Sequence, residues 1–239
     1  QHRTFVNDIS LSSIDEYTGL IVCASQDAYV KMSGGIAYGQ DAITINESLP
    51  VVALSKTMKD KRCFGVISSM EDPEQRKETN GNFVSLFTKE KGDTRVYINS
   101  VGEGAMWVVS GRHGVGGTLE SGDYITTSNI TGYGCLQDDD LLHNYTVAKI
   151  TMNCSFVPPK VPKMVIKREK GENVLDDNGL LQWTQMLNEQ GAVVYEDKYL
   201  IRYIMADGTV LTYEEYLECI ENDTDVYVAA FVGCTYHCG

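Results

Sequence analysis

The sequence predicts a mainly β fold: a barrel- or sandwich-like β domain with a small α+β C-terminal unit. Three observations carry that expectation. β-Branched and aromatic residues gather in short runs that recur about every 10 residues, the rhythm of barrels and sandwiches. Turn signals separate the runs. One capping-box pattern, Thr212 with Glu215, marks a short helix among the later strands.

Strands are expected over residues 17–24, with a turn near Gln26-Asp27, then over 29–32, 50–54 and 64–68. Runs 83–88 and 94–101 flank Lys91-Gly92-Asp93, a hairpin connection, and 105–109, 124–127 and 145–152 complete the set. The charged stretch 71–81 reads as a surface loop, and Gly111 to Gly117 as a flexible hairpin tip. Gly102, Gly104 and Gly122 are placed at tight turns, and Trp107 in the core or a subunit interface.

Pro158-Pro159 and Pro162 break the pattern, and Lys160, Lys163, Lys167, Arg168 and Lys170 follow. This basic strip reads as a linker or extended arm with a solvated charged face; docking on the acidic body of the same chain or of a neighbour is the other reading. The last third carries strands at 199–205 and 210–212 around Asp207-Gly208, both positions suited to positive φ. A helix over 213–221 and a strand over 226–232 follow, and no internal repeat is visible. The expected organisation is therefore a β-rich domain at 1–156, a linker at 157–171 and a small unit at 172–239.

Composition excludes several functions. Hydrophobic residues make up 43% of the chain, enough for a globular core, yet no apolar run approaches the ~20 residues of a membrane helix. With 33 acidic against 20 basic residues the formal charge is −13. Nucleic acid is not an expected partner, because phosphates are recognised by a basic face. Seven cysteines, an odd number without regular spacing, suit free thiols in a reducing compartment. The chain starts at Gln1 without methionine or leader, which suggests a start inside a longer product or removal of what came before.

Chemistry-bearing motifs are few. Gly111 to Gly117 lacks the Lys-Ser/Thr ending of a phosphate loop and the acidic partner of a dinucleotide site, so no cofactor is expected. Cys234, His237 and Cys238, with Cys219 as a fourth, are candidate zinc ligands; buried thiols or contacts between copies are the other reading. Asp138-Asp139-Asp140 with His143 reads as a polar turn rather than a cation site, and Asp176-Asp177-Asn178-Gly179 as a hairpin turn. Asp15 and Glu16 read as solvated surface acids, since next-door residues on a strand point to opposite faces; division of acid and base roles between them is the alternative, and His2 is a candidate base. The residues of a Gly-x-Ser-x-Gly elbow are missing.

Three stretches together resemble a known family. They are Asp15 to Val22, Cys63 to Ser69, and the long run from Asn99 to Val108, through Leu119 to Ser128, to Asn144 to Ile150. They are similar to the auto-cleaving intramolecular-chaperone domain, of glutamic-peptidase type, at the C-terminus of phage tailspikes. With the ending Phe231 to Gly239, the chain looks most like the version in structural proteins of large DNA viruses of algae and protists.

The resemblance implies a viral structural or assembly module that helps a fibre or capsid-associated protein trimerise. Its partners would be itself and other virion proteins, and its place the virion, after assembly in the host cell interior. It also implies self-cleavage just upstream, making the domain at most an autoproteolytic peptidase. In phage members the acids tied to cleavage precede the first strand in an Asp-Tyr-Ala-Glu type of segment. Here that region reads Gln1-His2-Arg3-Thr4-Phe5-Val6 and Asp8 stands alone, so the catalytic pair is not carried over. A head that binds host glycans is a further alternative.

Overall fold

Along the last strand, Val226–His237, buried and less buried side chains alternate with few interruptions. Strand geometry requires this where one face meets a core. The computed structural model describes residues 1–7, 9, 14–31, 35–39, 47–71, 78–80, 83–85 and 95–238. It divides into two compact units, Gln1–Phe156 with Ile201–Gly239, and Val157–Leu200.

Among the described residues, the first unit contains two seven-stranded sheets and one small hairpin. One has the order β1 (His2–Thr4), β9 (Val96–Asn99), β6 (Cys63–Met70), β3 (Ile21–Val30), β5 (Pro50–Leu54) and β2 (Val6–Asn7), with β4 (Ile36–Tyr38) beside the far end of β3. The other begins with β10 (Val101–Arg112), β12 (Gly134–Leu136), β11 (Tyr124–Thr127), β13 (Thr146–Ile150) and β22 (Val226–His237). β22 pairs again with β10, which closes these strands into a barrel. One edge of β22 follows β10 almost throughout. The other is shared, with β20 (Ile201–Met205) against its first half and β13 against its second. β21 (Val210–Leu211) pairs with β20. The fold is mainly β and contains a closed barrel.

The expected helix forms over α2 (Tyr213–Glu221), and Thr212 caps it reciprocally with Glu215. Both bonds are local, so the sequence announces them. A four-residue helix, α1 (Ile14–Tyr17), stands where the first expected strand began. Gly19, at φ +89°, separates it from β3. Between α1 and the barrel the packing is close. Trp107 is buried, donates from Nε1 to the Thr18 carbonyl at 3.0 Å, and lies 5.1 Å from the Phe231 ring. A Cβ on Gly19 would meet Trp107 Cδ1 at 2.8 Å as well as the Phe231 ring, so only glycine fits. Around Trp107 the core gathers Leu20, Val109, Ile130, Tyr133 and Ile204. A second cluster, with Val22, Val52, Ile67 and Ile98, fills the first sheet.

The second unit, Val157–Leu200, is a branched β-ribbon. β14 (Lys160–Pro162) pairs with β19 (Tyr195–Asp197), β15 (Met164–Ile166) with β18 (Trp183–Gln185), and β16 (Arg168–Glu169) with β17 (Glu172–Asn173). At each branch the backbone bonds close a ring. Lys163 N–H donates to Val194, Val194 to Met186 and Met186 to Lys163, each at 2.8 Å. Lys167, Gln182 and Val174 form the same ring at 2.8–2.9 Å. Three strands that splay apart thereby keep their amides satisfied.

Several expectations are corrected. Residues 201–239 belong with the barrel, not to a separate unit at 172–239, because β22 finds its partners in β10 and β13. The basic strip is strand rather than linker, and its lysines meet acids of the same unit: Lys160 with Asp197 at 2.9 Å, Lys167 with Glu169 at 3.0 Å. A repeat exists. Asp176 Oδ1 accepts from the N–H groups of Asn178 and Leu180, and Asn188 Oδ1 from those of Gln190 and Ala192, each turn ending in a glycine of positive φ. At Asp207-Gly208 only the glycine has positive φ, so this loop is three residues closed by Gly208, with Met205 N–H donating to Thr209.

Gly102 and Gly104 lie inside β10, opposite Tyr236 and Cys234, not at turns. Gly104 makes room for the Tyr236 ring, whose hydroxyl donates to the Ala105 carbonyl at 2.7 Å. Part of the expected loop 71–81 is strand: β7 (Glu78–Asn80) pairs with β8 (Phe83–Ser85), while Glu71 is buried and bonded to Arg3 at 3.1 Å. The Lys91-Gly92-Asp93 connection, Asp8, Met32, 86–88 and Gly239 lie outside the described residues. Among those described, no helix is long and apolar enough to cross a membrane.

Trp107→Ala removes a buried indole at the meeting of α1 and the barrel. Urea unfolding is expected to show a loss of about 3–5 kcal/mol, with the midpoint falling at unchanged slope.

Candidate functional site

Alternation along β20 sets Arg202 and Ile204 on one face, toward Trp107 and Tyr133. The Arg202 guanidinium lies over the Trp107 ring at 4.1 Å and donates from Nη1 to the Glu16 carbonyl at 2.8 Å. Burial pushes the Tyr133 phenol up, and a hydrogen bond from Arg202 opposes that shift. Around this cation opens a pocket of about 650 Å³, walled by Glu16, Tyr17, Leu54, Tyr133 and Asp207. Backbone and side-chain bonds from Thr209 hold the Asp207 carboxyl below its usual range, so it stays ionised at neutral pH. The wall offers carboxylates, phenols and one pinned guanidinium. Among the described residues its lining has neither histidine nor cysteine.

Of the expected catalytic residues, Glu16 reaches this pocket and Asp15 does not line it. Both lie on α1 and are exposed. His2 sits on β1, paired with Ile98, and its ring rests 5.3 Å from Phe64. Burial lowers its pKa below the ordinary imidazole value. Among the described residues no hydrogen bond or ion pair joins His2 to Asp15 or Glu16. The three do not form one catalytic group.

The candidate metal ligands are likewise separated. Cys234 is buried within the last strand and Cys238 follows the strand's end, whereas His237 points outward and meets the Tyr124 ring edge-on at 6.1 Å. A spacing that suggests ligands in a loop divides them between two faces in a strand. Cys219 lies on α2, which precedes Val226, and about 26 Å of extended strand then leads to Cys234. Burial pushes the Cys234 thiol up to about 12, away from the thiolate a metal requires. No group of His, Cys, Asp or Glu side chains arranged for a metal ion occurs among the described residues. At Asp138 to Asp140 a polar turn forms: Asp139 accepts from the Leu141 N–H and Gln137 Nε2 and contacts His143 Nε2 at 3.0 Å.

What the fold assembles instead is a line of thiols where the first sheet meets the barrel. Cys23 on β3 is the cross-strand partner of Cys63 on β6, and Cys63 Sγ lies 3.3 Å from Cys238 Sγ. Asp60 anchors one end. Its carboxylate accepts from Arg62 Nε at 3.0 Å, Arg62 Nη2 at 2.7 Å and the Arg62 N–H at 2.9 Å, and it also takes a bond from the Cys23 thiol. These residues come from distant parts of the chain, so no local spacing could have shown the group.

The Arg62 bonds hold Asp60 below the ordinary carboxylate range, despite an opposing effect of burial. Its contribution to stability is therefore present above the unfolded value near pH ~3.9 and is lost as pH falls through the lower folded value. Asp60→Asn is expected to cost about 1–2 kcal/mol at pH 7, because Arg62 is partly solvated. Urea unfolding from pH 7 to 3 checks this: the variant should lose less stability on acidification than the parent chain. Comparison with family models, with curated proteins and with solved structures returns no match.

Proposed function

We propose that this chain is a viral structural or assembly module, the chaperone-like trimerisation domain of a capsid-associated or fibre protein. The observation that carries the reading is the surface of the branched ribbon. Leu180, Trp183, Leu187 and Tyr195 are 65%, 58%, 55% and 58% exposed. Two-stranded ribbons are marginal alone, and clustered exposed apolar side chains mark association surfaces. Further copies of the same ribbon supply a cover of matching chemistry, and closed symmetry limits the assembly to a few copies.

The barrel supports the same reading. It closes only when β22 reaches β10, a pairing of high sequence separation that forms slowly. A self-associating ribbon holds copies of a fibre in register while such pairings form. Sedimentation at micromolar concentration is expected to give three times the 26.5 kDa chain mass. Leu180→Asp with Trp183→Asp should shift it to monomer with the barrel still folded. A monomeric parent chain would overturn the reading.

The position of Glu16 on the pocket wall favours a second reading, cleavage of the chain's own upstream junction. A chain extended upstream of Gln1 should then cut itself, and Glu16→Gln should stop it. Unchanged cutting in that variant removes Glu16 from the chemistry.

A further inference from the structure

We propose that Cys63 and Cys238 are a modification site, oxidised to a disulfide that fastens the closing strand of the barrel to the first sheet. The bond would join residues 175 apart in sequence. This inference does not depend on the assembly reading.

The frame around the pair is fixed from both sides. Cys63 N–H donates to the Asp60 carbonyl at 3.1 Å, and Cys238 N–H to the Ser100 carbonyl at 3.0 Å. Ser100 Oγ donates in turn to the Phe64 carbonyl at 2.6 Å, which ties the residue after Cys63 to the segment that holds Cys238. The two sulfurs face each other at 3.3 Å. A disulfide requires an approach of roughly 1.3 Å more, within reach of small side-chain rotations. The Cys238 thiol also donates to the Val147 carbonyl at 3.4 Å, a second contact that holds its sulfur in place beside Cys63.

Both cysteines are partly exposed, and hydrogen bonds to Cys23 and Cys238, together with burial, raise the Cys63 thiol well above its usual value. Entry is therefore at Cys238, and the oxidant is a small disulfide such as glutathione disulfide. The Cys238 thiolate attacks one glutathione sulfur, forming a mixed disulfide and expelling a first glutathione thiolate. Cys63 gives up its proton to solvent and attacks the Cys238 sulfur, expelling the second. Two cysteine thiols are oxidised and one glutathione disulfide is reduced to two glutathiones. Cys23 is held by Asp60 and stands behind Cys63 as the competing thiol.

The test uses the full chain, incubated with glutathione disulfide and then alkylated. Intact mass should show the loss of two hydrogens, and peptide mapping without reductant should join the Cys63 and Cys238 peptides. The melting temperature should rise by about 5–10 °C and return on reduction, because the cross-link restricts the unfolded chain across a long loop. Cys238→Ser should abolish the shift, while Cys23→Ser, which leaves both partners, should keep it. If Cys63→Ser fails to fold, Cys238→Ser and the peptide map still decide. Seven alkylated thiols after oxidation, a Cys23–Cys63 link, or a mixed disulfide that persists on Cys238 would each overturn the proposal.

Discussion

β10 and β22 run antiparallel along nearly their whole lengths, and the barrel exists because they do. Each presents backbone donors and acceptors that only the other satisfies over that edge, and a buried strand cannot leave them unpaired. Tyr236, bonded to Ala105 131 residues away, shows how far apart in sequence the partners lie. Gly104 is tolerated within β10, although glycine weakens a strand, because the Tyr236 ring occupies the space its side chain would fill. The rest of the first unit is arranged around that closure.

Closure also explains why one tryptophan joins several features. Trp107 lies on β10 opposite Phe231 of β22, so the pairing fixes its place. Its indole N–H then holds the end of α1, its ring carries the Arg202 guanidinium, and Arg202 reaches the Glu16 carbonyl. The pocket is thus a consequence of barrel closure, not a loop feature. The thiol line has the same origin, since Cys238 follows β22 directly and meets Cys63 only when β22 is in register.

The two units illustrate different ways of satisfying a β backbone. The barrel has no free edge within its closed ring and buries most of its apolar side chains, such as Met106, Val108, Ile125 and Val147. The ribbon instead satisfies its amides through hairpins and rings of three bonds, and leaves its large apolar side chains outside. Its basic strip is neutralised by acids of the same unit, so charge alone gives it little reason to seek the acidic body.

Elements governed by neighbours in sequence were legible before any coordinates. The helix at Tyr213–Glu221 follows from Thr212 and Glu215, and Pro50–Leu54 and Tyr124–Thr127 follow from β-rich runs between turn residues. The acidic charge and the mainly β class needed only composition and spacing. The repeat at Asp176 and Asn188 was hidden because its two copies share a turn geometry and few letters. Partnership of distant strands was not legible at all. Strand pairing is set by which edges meet, so only the tertiary structure placed 201–239 with the barrel, put Glu16 on the pocket wall, and turned His237 outward from the strand that buries Cys234. The same reason brought Cys63 to Cys238: a strand dictates which side chains share a face, but the fold decides what that face meets.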